Sequence, residues 1–361
     1  MKRFKTIDTL RGISIVWMII GHLTEWWILN EEIWFFNTLR SIGDPLGSGA
    51  FLFIAGVSTA LSYKKNIQEI EINKFSNIKL YRRAYLLRTS IIFIIALIYN
   101  AIISIKLNNP ADIWTWFILQ TVSVSLFLGW PLLKTSKLFR IYLGLFLWVI
   151  NLFLMNCLSN FSGQMNFLGI LNHLLYNRLG LDPILSFFTF FIIGTVVGEI
   201  IFEIYLIEDQ KERKFILKKK LLIPGLIFGI ILIIFGVFFR FPNFLHHRTF
   251  SWLVYSLGIQ LILISSLIFI EEIEVFHFKK NYKFLYYFSY YSLSIYLLHN
   301  VLFFIFQNSL QHIYLLMYIS ITLFLLGILL RIIHIKFGPH FSIKIQIGRL
   351  SRALAERIKL N

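Results

Sequence analysis

An arginine and a histidine share one face of the first apolar stretch of this chain. The stretch reads Ile7-Asp8-Thr9-Leu10-Arg11-Gly12, then an apolar run, then Gly21-His22-Leu23-Thr24-Glu25. Arg11 and His22 are eleven residues apart. At about 100° per residue that is three turns and roughly 20°, so a helix points both side chains the same way. At ~1.5 Å rise per residue they stand roughly 16 Å apart along the axis. Asp8 and Glu25 fall within about a quarter turn of the same stripe. An imidazole titrates near neutral pH and can move a proton, while a guanidinium can hold a phosphate. A charge facing lipid costs about 2.5–3.5 kcal/mol on insertion scales, so this stripe faces protein or water and is a candidate for function.

A second histidine repeats the geometry. His299, in Ser292-Leu293-Ser294-Ile295-Tyr296-Leu297-Leu298-His299, and His22 are each fifteen residues into an apolar span. That places both roughly 22 Å from the same membrane face, able to line one cavity if their helices are neighbours. A helix-packing hydrogen bond is the plain alternative for each. Asp8 can pair with Arg11 three residues on. Arg11 itself either snorkels to lipid phosphates or grips a cofactor phosphate. Asp44 opens the small-residue segment Gly43-Asp44-Pro45-Leu46-Gly47-Ser48-Gly49-Ala50 at an external helix start. There its charge suits the helix dipole and can orient an imidazole, or it simply caps the helix. Arg82, Arg83 and Arg88 can grip a nucleotide-type phosphate, although topology alone also explains them. His246, His247 and Arg248 in an external loop, and His173, are weaker candidates. His277, His312, His334 and His340 are isolated and receive no role.

Composition sets the class. The chain is 57% hydrophobic and 15% charged, more apolar surface than a soluble core can hide. Repeated apolar runs of spanning length indicate an all-α polytopic integral membrane protein. The net charge of +17 is spread between the apolar spans and not gathered in one module, which argues against a nucleic-acid partner. One cysteine, Cys157, excludes an intrachain disulfide and a thiolate metal cluster. Lys2, Arg3 and Lys5 precede an apolar run as in a signal peptide, but Asp8 and Arg11 interrupt it, so a retained first helix is expected.

About ten spans are expected, at 7–29, 45–63, 86–105, 113–133, 138–158, 184–206, 221–240, 252–270, 284–306 and 313–335. With these, 30 of the 35 Lys and Arg fall on one side. An even count then puts both termini in the cytoplasm of a cell-membrane protein. Between Asn160 and Asp182 an apolar segment too short to cross predicts an interfacial or re-entrant helix. Residues 1–336 form the membrane domain. Residues 337–361 form a basic tail, with Leu350, Leu354 and Ile358 among Arg349, Arg352, Arg357 and Lys359, that suits the cytoplasmic leaflet.

The motifs resemble a known group. Asp8-x-x-Arg11-Gly12 and Phe51-x-Phe53-Ile54-x-Gly56 resemble the opening spans of the transmembrane acyltransferase superfamily, in particular its heparan-α-glucosaminide N-acetyltransferase-like branch. The Arg11–His22 spacing and Tyr296-Leu297-x-His299 are similar to motifs of the type 3 membrane acyltransferases. The apolar run from Phe190 through Gly194 to Gly198 is similar to a Gly-x-x-x-Gly span of these families. The specific motifs cover mainly residues 7–63 and 284–300. The resemblance implies acyl transfer from cytoplasmic acyl-CoA, acetyl-CoA above all, to an external sugar or lipid-linked acceptor. In the heparan-type enzyme the catalytic histidine lies in the external loop after the first span, whereas residues 26–43 here contain none. The role then passes to His22, as general base or as a transient acyl-imidazole. Asp44 or Glu25 would orient that imidazole. Arg11, with Arg82, Arg83 and Arg88, would hold donor phosphate, and His299 would line the acceptor cavity. No metal is required, membrane lipid surrounds the protein, and a homo-oligomer is compatible with the sequence. The rival class is a transporter or lipid-handling protein without chemistry, which broken helices in matching halves would favour. A third reading makes the polar residues helix glue.

Overall fold

The structure is a computed structural model that describes residues 4–72, 77–177, 181–246, 249–273 and 283–360. Lys2, Arg3, Lys74, Arg178, His247, Arg248, His277, Lys279, Lys280 and the Lys359 side chain lie outside the described residues. Among those described, the fold is all-helical with no strand, and Ile28 and Leu310 form an isolated bridge. In chain order the helices are α1 (Lys5–Trp27), α2 (Ile33–Gly43), α3 (Ser48–Ile72), α4 (Ile78–Lys106), α5 (Ile118–Leu132), α6 (Lys137–Ser159), α7 (Phe167–Leu175) and α8 (Ile184–Tyr205). There follow α9 (Gln210–Leu217), α10 (Ile223–Phe239), α11 (Phe250–Ile273), α12 (Lys283–Tyr290), α13 (Ser292–Leu298), α14 (His312–Phe337) and α15 (Ile343–Leu360).

Seven helical stretches among the described residues are long and apolar enough to cross a membrane, those carrying α3, α4, α6, α8, α10, α11 and α14. Ile118–Leu132 and Ser292–Phe304 are shorter apolar helices. α1 is 23 residues long, but Asp8, Arg11, His22 and Glu25 interrupt its apolar character. Two expected spans take a different form. The one at 113–133 becomes α-helical only at Ile118, because Pro110–Trp114 is a 3-10 turn. The one at 284–306 is broken: α12 stops at Tyr290, α13 stops at Leu298, and His299–Phe304 winds as 3-10 helix.

The chain divides into two compact units. The first is residues 52–213 with 347–361, and α8 is its centre, with buried side chains from Ile184 to Ile204 on every face. Small residues allow α3 close to α8: a Cβ on Gly56 would strike the Phe191 carbonyl, and one on Gly194 the Phe53 carbonyl. Close approach of backbones is the usual way helices adhere where lipid supplies no hydrophobic drive. α6 joins through Thr189 Oγ1, which donates to Gly144 O at 3.0 Å, and Trp148 Nε1, which donates to Ser186 O at 2.8 Å. α7 is the short helix expected between residues 160 and 182. Asn166 caps its start by accepting from Gly169 N at 2.7 Å, and it leaves Phe167, Ile170 and Leu174 exposed. α15 buries Ile347, Ser351 and Ala355 at four-residue spacing, leaving Leu350 and Ile358 of the expected stripe exposed.

The second unit, residues 2–51 and 214–346, is built on α1. Ile15, Ile19, Leu23 and Trp27 recur at helical spacing and enter one core with Phe288, Tyr291, Leu315, Ile319 and Leu330. Glu271 from α11 caps α1, accepting from Lys5 N at 3.1 Å and Thr6 N at 2.8 Å. A carboxylate there satisfies orphan donors and opposes the positive end of the helix dipole. The other end is closed by the 308–310 loop: Asn308 N donates to Trp26 O at 2.9 Å, and Leu310 N to Trp27 O at 2.8 Å. Glu32 in turn caps α14, accepting from His312 N at 2.5 Å with the His312 ring 3.1 Å from the same oxygen.

Two predictions follow from this packing. A Cβ on Gly12 would strike the Leu285 carbonyl of α12, whereas Gly21 has nothing within 4 Å. Gly12→Ala should therefore cost about 1–3 kcal/mol, read as a lowered thermal midpoint in detergent. Gly21→Ala should hold or raise it, since alanine favours helix; equal effects of the two would refute the contact. The His312 bond holds the Glu32 carboxyl below the usual glutamate range. A carboxyl lowered on folding stabilises above its unfolded value, ~4.3, and that stabilisation is lost as pH falls through the folded value. The midpoint gap between wild type and Glu32→Gln should thus be steady near neutral pH and close on acidification below pH ~4.

Candidate active site

His22 leaves α1 next to the break in the α12–α13 span. Helical spacing sets Trp26 four residues on, and the two rings stack with centroids 5.1 Å apart at 18°. His299, from the 3-10 segment, completes a triangle of rings, 5.1 Å from His22 and 5.7 Å from Trp26. The equal depth read from the sequence thus becomes a direct neighbourhood. His299 is 5% exposed, while the His22 side chain is 41% exposed. One imidazole is therefore reachable and the other is sealed behind it.

The hydrogen bond at His299 assigns its tautomer. Nδ1 lies 2.6 Å from Tyr296 O, and a carbonyl only accepts, so Nδ1 carries a proton and Nε2 of the neutral ring bears the lone pair. That same carbonyl, three residues back, is drawn from the α-helical ladder, consistent with the tightening to 3-10 at His299. Freed backbone buried in protein must find partners. Trp27 Nε1 supplies one by donating to Leu302 O at 2.9 Å.

Glu25 Oε2 is 3.7 Å from His22 Nδ1, within ion-pair range though beyond a good hydrogen bond. This carboxylate faces Nδ1 and leaves Nε2 as the nitrogen it does not engage. Asp44, the other candidate for that role, is engaged by Arg40, whose Nε donates to it at 3.0 Å. Both groups lie within electrostatic reach of Glu25. The turn holding Asp44 is fixed from two sides. Gln260 Nε2 donates to Pro45 O at 3.1 Å, and a Cβ on Gly43 would strike the Trp17 ring.

Three turns earlier on α1, Asp8 and Arg11 form the pair the spacing allowed, at 3.6 Å. Ser289 bridges them, donating to Asp8 Oδ1 at 3.2 Å and accepting from Arg11 Nη1 at 3.5 Å. Lys344 Nζ donates to Ser289 O at 3.0 Å. Both ends of the α1 stripe therefore meet the α12–α13 segment. Arg82, Arg83 and Arg88 belong to the other unit, exposed along α4. His173 lies on α7 in that unit, and His246 is exposed in its loop. Among the described residues, no group of three His, Cys, Asp or Glu could hold a metal ion.

A second polar constellation escaped the sequence reading. Arg140, counted there only as one of the cations on one side, is fully buried and pairs with Glu199 of α8. Arg140 Nη1 donates to Thr195 Oγ1 at 3.1 Å, and Lys64 Nζ reaches Glu199 at 2.6 Å. Lys137 holds Glu203 at 2.7 Å one turn along. The signal was present in Glu199 and Glu203, two carboxylates in an otherwise apolar span that must find partners.

A family described as heparan-α-glucosaminide N-acetyltransferase, catalytic, matches residues 3–229. The match includes Arg11, His22, Glu25, Asp44 and the α4 arginines; Ser289 and His299 follow it. No curated protein matches the chain.

Glu199→Gln would leave Arg140 buried without its counter-charge. Breaking a buried pair in this way costs about 3–5 kcal/mol, so the protein should lose much of its thermal stability. Replacing both members by apolar residues of similar volume should recover most of that loss. A tolerated single variant would show the pair to be dispensable.

Proposed function

The chain belongs to the heparan-α-glucosaminide N-acetyltransferase catalytic family, and on that premise we propose that it moves an acyl group from acyl-CoA to an external glycan-type acceptor. Family membership implies acetyltransferase activity, and acetyl-CoA is the first donor to test. The acceptor group is a hydroxyl or amine on a sugar or lipid-linked sugar. The proposed arrangement is ten spans in the cell membrane with both termini cytoplasmic, where donor phosphates would meet Arg82, Arg83 and Arg88. The single observation that carries the site is His22, half exposed, between Glu25 and a buried partner imidazole.

His22 acts as the base. Glu25 faces Nδ1, so Nε2 takes the proton from the acceptor hydroxyl or amine. The acceptor atom bonds to the acyl carbon, the carbon–sulfur bond breaks, and the departing thiolate recovers the proton from His22. Carboxylate orientation of an imidazole that becomes charged is the familiar role of a third group. Glu25 takes this role, with Asp44 acting on it through Arg40. His299 backs the acceptor cavity behind His22, and its bare Nε2 can share the His22 proton. A two-step route, in which Nε2 of His22 first takes the acyl group and the acceptor then displaces it, uses the same atoms. Arg11 is held by Asp8 and Ser289, and a donor phosphate there would compete with Asp8.

One observation favours the transporter reading, the discontinuity of the α12–α13 span. Transporter sites of that kind arise from discontinuous helices in corresponding positions of two repeats. The catalytic-family match outweighs this single break.

The deciding experiment follows radiolabel from acetyl-CoA to a panel of sugar acceptors, with wild type beside a folded His22→Ala variant. Wild type should transfer label, and the variant should fall by about 10²–10⁴-fold, the range of general-base contributions. Equal transfer by both would remove His22 from the chemistry. Absence of both transfer and a CoA-dependent thermal shift in folded wild type would favour the transporter.

A further inference from the structure

His299 stands on a backbone that its local sequence does not explain. His299–Phe304 winds as a six-residue 3-10 helix, longer than such helices usually run, because their hydrogen bonds are poorly aligned. The segment reads His-Asn-Val-Leu-Phe-Phe, with no proline or glycine to divert it from an α-helix. A tertiary bond must therefore hold it. Trp27 Nε1 donates to Leu302 O at 2.9 Å, whereas the bond to that carbonyl from Ile305 N, within the segment's own turn, is 3.3 Å. The Trp27 carbonyl takes the chain again farther on, accepting from Ser309 N at 3.1 Å and Leu310 N at 2.8 Å. The Trp27 ring is fully buried and meets Phe306 edge-on at 5.2 Å. One residue of α1 thus grips both ends of the stretch from Leu302 to Leu310.

We infer that Trp27 is a positioning residue for the histidine pair: its indole N–H sets the turn that keeps His299 against His22. Leu302 follows His299 by one turn of 3-10 helix, so a bond that fixes its carbonyl fixes the turn on which the imidazole stands. Trp27 is five residues beyond His22, about 140° round α1, and acts from a different face of that helix. Without the indole N–H, Leu302 O loses its partner and regains one by returning to the α-helical ladder, where Phe306 N serves it. Tyr296 O then serves Asn300 N in the same ladder, and the His299 Nδ1 proton loses the carbonyl that holds it. The tautomer of His299 and its approach to His22, 5.1 Å between ring centroids, change together. The catalytic weight of that change rests on the acyltransferase reading, in which His299 shares the His22 proton; the geometry does not.

The test uses the full chain in nanodiscs with isotope-labelled histidine, the His299 signal being identified by its absence from His299→Asn. Trp27→Phe keeps an aromatic ring and removes the N–H. Trp27→benzothienylalanine keeps the bicyclic shape, with sulfur in place of that N–H, and serves if the first variant folds poorly. Trp148→Phe is the control, because Trp148 is likewise buried and donates Nε1 to a backbone carbonyl, Ser186 O at 2.8 Å, in the other unit. In wild type the nitrogen shifts of His299 should show a protonated Nδ1 and a bare Nε2. Both Trp27 variants should lose that pattern, and Trp148→Phe, measured equally far below its own thermal midpoint, should keep it. Acetyl transfer should show kcat lowered about tenfold or more in the Trp27 variants, with KM for acetyl-CoA little changed, since ~1 Å of misplacement can cost about 10²-fold. If the benzothienylalanine variant keeps the wild-type pattern, or if Trp148→Phe loses it equally, the positioning role is overturned. Loss of the pattern with kcat unchanged overturns it too. If the pattern is lost only in the Trp27 variants while wild type transfers no acetyl group, the positioning stands and the acyltransferase reading falls.

Discussion

Polar atoms on a buried helix must be met by protein, and beyond the first turn of α1, which Glu271 caps, one stretch of chain from Ser289 to Leu310 meets most of them. Ser289 takes Asp8 and Arg11 near one end, His299 faces His22, and the loop at residues 308–310 closes the last carbonyls of the helix. A straight α-helix could not do this alone. Its own carbonyls would be satisfied internally, whereas the break after Tyr290 and the 3-10 turn at His299 turn backbone and side chains toward α1. The glycine beside Arg11 has the complementary task of bringing the two backbones close enough for these short side chains to reach. The aromatic and aliphatic face of α1, from Ile15 to Trp27, holds the pair together.

Much of this was legible in the residues. Helical phase placed Arg11 and His22 on one face, and equal depth linked His22 to His299, because both arguments depend only on rise and rotation per residue. Local pairs at i,i+3 and i,i+4, such as Asp8 with Arg11 and Arg40 with Asp44, follow from the same geometry. The interruption near Tyr291 was not legible. Tyr290-Tyr291-Ser292 contains no proline or glycine, and its cause is tertiary, a set of bonds from residues far along the chain. The Tyr291 hydroxyl donates to Gly338 O at 2.7 Å, and Ser342 Oγ reaches Tyr290 O at 3.1 Å.

Charge counting misled in one respect. The expected excess of Lys and Arg on one side is an argument about topology alone, and it treats every cation as equivalent. Arg140 occupies the interior with Thr195 and Glu199, while Arg82 and Arg83 remain exposed. The separation depends on which helix faces carry carboxylates, and only the packed structure reveals that Glu199 and Glu203 point at α6. The tail shows the same limit. Its apolar residues at four-residue spacing suggested one stripe, yet the side chains it buries are Ile347, Ser351 and Ala355.

Trp26 has a consequence beyond packing. It lies nearly parallel to both His22 and His299, at 18° in each case. An indole face attracts a cation by about 0.5–2 kcal/mol, and here one indole serves two rings that can each become charged. A proton passing from one imidazole to the other would leave the same aromatic surface beneath it at both stops. The indole is common to both stops, so what separates them is the carboxylate beside half-exposed His22 and the burial of His299, which disfavours a charge there.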